Sequence, residues 1–269
     1  MITAEKLKNT MRGGAQSFLM LCDDGSPYVV KFQNNAQHLR VLANEWFATK
    51  LAQHLDLPVP PCEMIQVDSS LIEATPELRI NRGDGIVERC VAGLQFGSRF
   101  VGGLFPGLVV DYLPTDYLLD VPNLNTFHGA LVFDKWTGNT DGRQAVFCKK
   151  LGTTKYTARF IDQGYCFNGG CWNFKIGPAS GTFARNVVYK EVRGWSSFEP
   201  WLTRVEELSV DTIWSLALTI PPEWYDHDIS ALEGLARQLE KRRSEVREMI
   251  AVFRDSSRKP FPNWLASKY

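Results

Sequence analysis

The chain has 269 residues, enough for one large domain or two small lobes. Lysine plus arginine equals aspartate plus glutamate at 30 each, which leaves no general electrostatic case for nucleic acid or an anionic membrane. No apolar stretch approaches the roughly 20 residues of a membrane span, and the charged start, Met1-Ile2-Thr3-Ala4-Glu5-Lys6-Leu7-Lys8, lacks a signal-peptide core. A cytoplasmic protein is expected, with no membrane partner and no direct nucleic-acid binding. Cys22, Cys62, Cys90, Cys148, Cys166 and Cys171 form no Cys-x-x-Cys pair and are read as free thiols. His38, His54, His128 and His227 have no zinc-ligand spacing and are read as structural or surface residues.

In chain order, Met11-Arg12-Gly13-Gly14-Ala15-Gln16-Ser17 is a glycine-bearing loop before an apolar strand, Phe18-Leu19-Met20-Leu21. Asp23-Asp24-Gly25-Ser26-Pro27 is a turn, and Tyr28-Val29-Val30-Lys31-Phe32 is the second strand of a hairpin. Gly13, Gly14 and Ala15 are candidate phosphate contacts, because glycines let backbone N–H groups approach a polyphosphate closely. An ordinary hairpin lead-in is the more frequent source of such a pair. Lys31 stands in an otherwise apolar strand, and a helix at about Leu39 to His54 follows it, with Glu45 in its first half. A strand lysine held by a helix glutamate can position two phosphates; the alternatives are a lysine on a wet sheet face and a glutamate that only solvates its helix. Leu57-Pro58-Val59-Pro60-Pro61 stops the helix. Strands are expected at Cys62 to Val67 and Ile86 to Val91, with a turn at Arg82-Gly83-Asp84-Gly85 between them. This half is a small antiparallel sheet with one helix. The glycine-punctuated run Gly93 to Gly103 is the expected connection between two lobes, with Gln95 and Phe96 beside the nucleotide base.

The second half is mainly helical. Short helical turns or helices are expected at Asp116 to Leu119, Leu124 to Trp136, Phe198 to Trp201 and Val210 to Leu218. Ile220-Pro221-Pro222-Glu223-Trp224 breaks the chain, and a last long helix runs from about Ser230 to Phe253. The alternating charges from Arg237 to Arg247 mark a solvated face rather than a nucleic-acid surface. Tyr165 to Arg185 is an ordered loop whose aromatics need burial, and Val187 to Val192 is ambiguous.

The centre of the chain is Phe133 to Gly164. Asp141 lies in a polar loop before one short strand, Ala145 to Cys148, and Asp162 ends another, Tyr156 to Ile161. A hairpin brings its two ends together, so the carboxylates converge. Such a pair suits Mg²⁺ binding and orientation of a hydroxyl; a solvated turn with two surface aspartates is the commoner source of the same pattern. The order glycine loop, strand lysine, helix glutamate, connector, loop aspartate, hairpin and Asp-x-Gly supplies each part that phosphoryl transfer requires. In that scheme Asp141 and Lys31 are catalytic and Asp162 is a metal ligand.

The sequence resembles the HipA-like kinases, bacterial relatives of the protein-kinase and phosphatidylinositol-kinase fold, in its short stand-alone members. The resemblance is carried by Tyr28-Val29-Val30-Lys31-Phe32, Asn44-Glu45, Phe133-Asp134-Lys135-Trp136-Thr137-Gly138-Asn139-Thr140-Asp141-Gly142-Arg143-Gln144 and Phe160-Ile161-Asp162-Gln163-Gly164. It implies an α+β, bilobal protein-kinase-like fold, with a β-rich N-lobe at about 1–95 and a mainly helical C-lobe at 96–269. It also implies ATP, Mg²⁺, a Ser/Thr hydroxyl of a protein as acceptor, and an antitoxin-like regulator as a partner. The chain departs from the pattern at Val146, where such kinases carry a metal-binding Asn. Gln144, or Asn139, is the candidate substitute donor. A small-molecule kinase and a nucleotide-binding pseudokinase are the alternatives.

Overall fold

The structure, a computed structural model, describes residues 1–11, 13–83, 85–102, 107–175, 177 and 180–265. Arg12, Asp84 and Gly103, each part of an expected loop or turn, lie outside the described residues, as do 176, 178 and 179 of the expected ordered loop.

The first part of the chain forms β1 (Ile2–Thr10), β2 (Phe18–Cys22), β3 (Pro27–Lys31), α1 (Val41–His54), β4 (Cys62–Val67), α2 (Ser69–Ala74), β5 (Arg79–Gly83), β6 (Ile86–Arg89) and β7 (Gly93–Arg99). Five strands close a barrel in the order β1-β2-β3-β7-β4. Its pairs are antiparallel except β1 with β4, which is parallel. Phe18, Met20, Tyr28, Val30, Phe32, Ile65 and Val67 fill the interior. The packing leaves no room for a side chain at Gly97, which lies against Ile65.

The charged N-terminus is a barrel strand, β1, so the glycine loop before the β2–β3 hairpin is also the turn that joins β1 to β2. Ile86 to Arg89 does not join the barrel; it pairs with β5 in a separate two-stranded sheet. The run expected to connect the lobes is a strand as far as Arg99, wedged between β3 and β4, and the expected boundary at 95/96 falls inside it. Of the glycines that read as punctuation, Gly97 is the one that the crowded barrel wall requires.

The second part forms β8 (Val109–Val110), α3 (Thr115–Leu119), α4 (Thr126–Thr137), β9 (Gln144–Cys148), β10 (Thr157–Ile161), α5 (Trp201–Glu207), α6 (Val210–Ala217), α7 (Ile229–Arg242) and α8 (Val246–Arg254). Strands β10, β9 and β8 make a small sheet in that order. The long final helix is interrupted: a 3-10 turn at Arg243–Glu245 separates α7 from α8. Val187 to Val192 begins within a 3-10 turn at Asn186–Tyr189. Among the described residues, no helix is long and apolar enough to cross a membrane, and no cluster of three His, Cys, Asp or Glu is placed to hold a metal ion. All six cysteines are free.

Helix α4 is buried from Phe127 to Thr137 and forms the spine of the helical part. It ends at Gly138, whose left-handed backbone (φ 64°) turns the chain out toward Asp141. Helix α1 belongs to the same apolar core as α4. Val41, Phe47, Leu51 and Leu55 are continuous with Phe133, Trp136, Phe167 and Leu235, whereas the barrel interior is a separate cluster. Trp46 Nε1 donates to Thr219 Oγ1 at 2.8 Å, and Arg204 donates to the Leu55 carbonyl at 2.8 Å. A helix that comes from the first half of the sequence is therefore packed as part of the second.

Candidate active site

A cleft of about 360 Å³ lies between the barrel and the helical part. Gly13, Gly14, Ala15, Val29, Lys31 and Phe96 line it from the barrel side, and Asp141, Gln144, Val146, Phe160 and Asp162 from the other.

The glycine loop is tied down. Gly13 has φ 121°, a region that L side chains rarely adopt. Asn35 Nδ2 donates to the Ala15 carbonyl at 2.8 Å. Gln16 exchanges two hydrogen bonds with the backbone of Asn81, both at 2.7 Å, linking the loop to the β5–β6 hairpin.

Lys31 ends β3, and its buried ammonium bonds Glu45 and, at 2.9 Å, Asp162 Oδ1. Glu45 reaches further: its Oε2 accepts the Gln163 N–H at 3.0 Å. One lysine thus joins the barrel, α1 and the end of β10. Burial alone would pull the Lys31 pKa down; the charges of Glu45 and Asp162 outweigh it and hold the group above the usual lysine range. Burial would likewise raise Asp162, but the Lys31 charge holds it below the usual carboxylate range. Asp162 has a left-handed backbone (φ 61°), which turns its carboxylate into the cleft directly after β10. Gly164 is packed so close to α1 that a β-carbon would stand 2.9 Å from Val41 Cγ2.

Asp141 is placed by a buried network that the sequence reading did not assign. Arg143 forms an ion pair with Asp134 of α4, with Nε donating to Oδ2 at 2.9 Å. It also donates to Gln163 Oε1 at 2.8 Å and to the Ile161 carbonyl at 3.2 Å. Burial opposes the charge on Arg143, and Asp134 restores it, lifting the guanidinium above its ordinary pKa. The loop after α4 and the Asp-Gln-Gly stretch are thereby one unit. The sequence did carry a signal: Asp134 directly follows the apolar run Ala130 to Phe133 on one helix, and a charge placed there calls for a buried partner. The Asp141 carboxylate accepts the Gly142 N–H at 2.7 Å, and Gln144 Nε2 lies 3.3 Å from its other oxygen.

The cleft brings together Gly13, Gly14, Ala15, Lys31, Glu45, Phe96, Asp141, Gln144 and Asp162. Gln95 is not among them. It is fully buried on the other side of β7, where it accepts the Gln33 N–H at 2.8 Å and donates to the Val91 carbonyl at 2.9 Å. Neighbouring residues of a strand face opposite sides, so Phe96 and Gln95 could not both reach the cleft. Asn139 does not line the cleft either. Its Nδ2 donates to Asp134 and its Oδ1 accepts the Asp141 N–H, both at 3.0 Å, within a buried site. Val146 lies in β9 opposite Arg159, and its hydrocarbon side chain lines the cleft.

These parts define a bilobal, protein-kinase-like fold with a cleft between its two parts. The chain matches the HipA-like kinase family over residues 4–149, and it belongs to that family. No curated protein matches it by sequence. Among solved structures, the Helicobacter pylori proinflammatory kinase CtkA is similar, with a TM-score of 0.59 and 14% identity over 94% of this chain and 98% of that one. Hydra Fam20, solved with sugar, has a TM-score of 0.50 and 13% identity over 97% of this chain and 87% of that one. The Golgi casein kinase with Mn/ADP bound has a TM-score of 0.50 and 13% identity, covering 96% of this chain and 73% of that one. At these identities the likeness is one of fold.

Proposed function

We propose that the protein is an ATP- and Mg²⁺-dependent kinase that phosphorylates a Ser or Thr hydroxyl of a protein. The observation that carries this is Lys31, bonded to Glu45 and Asp162 in the same cleft as Asp141. The donor set fits Mg²⁺, which is usually held by one or two carboxylates together with phosphate oxygens and water. Asp162 would hold it, with Gln144 as the second donor. When bound, the ion neutralises phosphate charge. The Mn/ADP of the Golgi casein kinase supports nucleotide and divalent metal on this fold.

The chain's own residues divide the remaining work. Backbone N–H groups of Gly13, Gly14 and Ala15 cover the phosphates. Lys31 positions them, and Glu45 orients Lys31. Asp141 orients the acceptor hydroxyl and takes its proton as the oxygen bonds to the γ-phosphorus. The bond to the β-phosphate oxygen breaks, and ADP leaves.

A nucleotide-binding pseudokinase is the second reading, favoured by Val146, which puts hydrocarbon where a metal-binding amide is usual. Radiolabelled ATP, purified protein and a cell lysate separate the outcomes. Labelled protein bands support the kinase, labelled metabolites alone move the acceptor to a small molecule, and nucleotide binding without transfer supports the pseudokinase. An antitoxin-like regulator is the partner expected from the resemblance, and co-purification of a bound regulator tests it.

A further inference from the structure

Asn44, the neighbour of Glu45 on α1, is fully buried. Its side chain grips the segment that follows Asp162. Nδ2 donates to the carbonyls of Gly164 at 2.8 Å, Cys166 at 3.0 Å and Gly169 at 2.9 Å. Oδ1 accepts the indole N–H of Trp172 at 2.7 Å. These bonds, the two N–H groups being shared among three carbonyls, all go to one stretch of chain, residues 164–172.

The same stretch is held from other directions. His38 Nε2 donates to the Gly164 carbonyl at 2.9 Å. Phe47 of α1 packs on Phe167, with ring centroids 5.4 Å apart, and Arg40 lies 4.2 Å over the Trp172 ring. On the opposite side, the Asn168 N–H donates to the Gly138 carbonyl at 3.0 Å and the Thr140 N–H to that of Tyr165 at 3.1 Å. Phe167, Asn168 and Trp172 have left-handed backbones, a path that an unsupported chain would not hold. From Gln163 to Lys175 the chain has no Ser or Thr, and Tyr165 is its one side-chain hydroxyl.

We propose that Asn44 is a positioning residue: it locks α1 to the segment after Asp162, so that Glu45, Asp162 and Asp141 stand in catalytic register without a phosphate on that segment. In kinases that are switched by phosphorylation, new charge pairs order the equivalent loop and set the helix that bears the glutamate. Here a neutral amide does both, in a site closed to water. Swinging α1 outward would strip its bonds to three carbonyls and an indole and would open the core that α1 shares with α4. The inference rests on the kinase assignment, and it adds that the active geometry is built in.

The test uses the full chain and two variants. Asn44→Asp keeps the shape, removes the donors and sets a carboxylate against three carbonyls. Trp172→Phe keeps a ring in place and loses only the indole N–H. Wild-type protein treated with phosphatase, and shown by mass spectrometry to carry no phosphate, is expected to retain full transfer. In Asn44→Asp, kcat is expected to fall about 100-fold, the scale set by small misplacements of catalytic groups, with a smaller change in KM for ATP. Trp172→Phe should fall between the two. Backbone amides in 164–172 should be protected from hydrogen exchange in the wild type and lose that protection in both variants. Wild-type kcat in either folded variant, unchanged exchange in Trp172→Phe, or loss of transfer after phosphatase treatment would each overturn the proposal. If Asn44→Asp does not fold, Trp172→Phe decides. Failure of the wild type to bind or turn over MgATP refutes the kinase assignment instead, and exchange then still tests the clamp.

Discussion

The α-carbon of Gly164 lies against the carboxylate of Glu45: a β-carbon there would stand 3.3 Å from Glu45 Oε1. The last residue of Asp-Gln-Gly is thus a spacer that lets α1 come close enough for Glu45 to reach Lys31. Gly164→Ala is expected to push Glu45 away from Lys31 and to cost about 1–3 kcal/mol through overpacking. Transfer should fall by more than thermal stability alone explains. Steady-state kinetics beside a melting curve check this, and wild-type kinetics in the variant would show that the contact is relieved elsewhere.

Among the described residues Lys31 is the one cation bonded to Glu45, and Lys31→Met removes it. Burial is the largest influence on the Glu45 carboxyl, and it raises the pKa. A carboxyl raised above its unfolded value binds its proton more tightly when folded, so it destabilises the fold at neutral pH and does so less as the pH falls. The variant should lose about 3 kcal/mol at pH 8, with a smaller deficit at pH 5. It should also use ATP poorly at every pH. Urea denaturation of both proteins at the two pH values measures the gap, and a gap independent of pH would show that Glu45 is satisfied by other groups.

Asp141 and Asp162 should separate in different measurements. Asp162→Asn replaces a charged ligand by a neutral one and should weaken binding of a MgATP analogue in calorimetry. Asp141→Asn should leave that binding nearly unchanged and slow single-turnover transfer by about 10²–10⁴-fold, the range for loss of a general base. Equal loss of binding in both would mean that the roles are misassigned.

Gln144 stands at the start of β9, opposite Ile161, beside both aspartates. Gln144→Leu keeps the size and removes the oxygen. The Mg²⁺ concentration for half-maximal transfer should rise several-fold, in keeping with loss of one ligand from a shell that water can refill. Melting temperature should hardly move, because the side chain is exposed. Unchanged Mg²⁺ dependence would remove Gln144 from the metal site and favour a one-metal kinase or a pseudokinase.

Local chemistry alone placed much of this molecule. The turn at Asp23 to Pro27, the helix of Glu45, the stop at Leu57 to Pro61 and the hairpin between Asp141 and Asp162 all follow from short-range pattern, and all lie where that pattern puts them. Lys31 and Asp162 were legible as candidates because a helix with a glutamate follows the strand lysine and a hairpin brings the strand-ending aspartate toward Asp141. Other features depended on partners distant in sequence. Strand β1 was hidden because its inner face is covered only once the barrel closes against β2 and β4. Gln95 and Phe96 could not be told apart until strand register set which side each faces. The ion pair of Arg143 with Asp134, and the grip of Asn44 on 164–172, join residues whose hydrogen-bonding needs are visible singly but whose partners are not. A buried polar group announces that it must be satisfied; only tertiary packing decides by what, and here that choice fixes the geometry of the site.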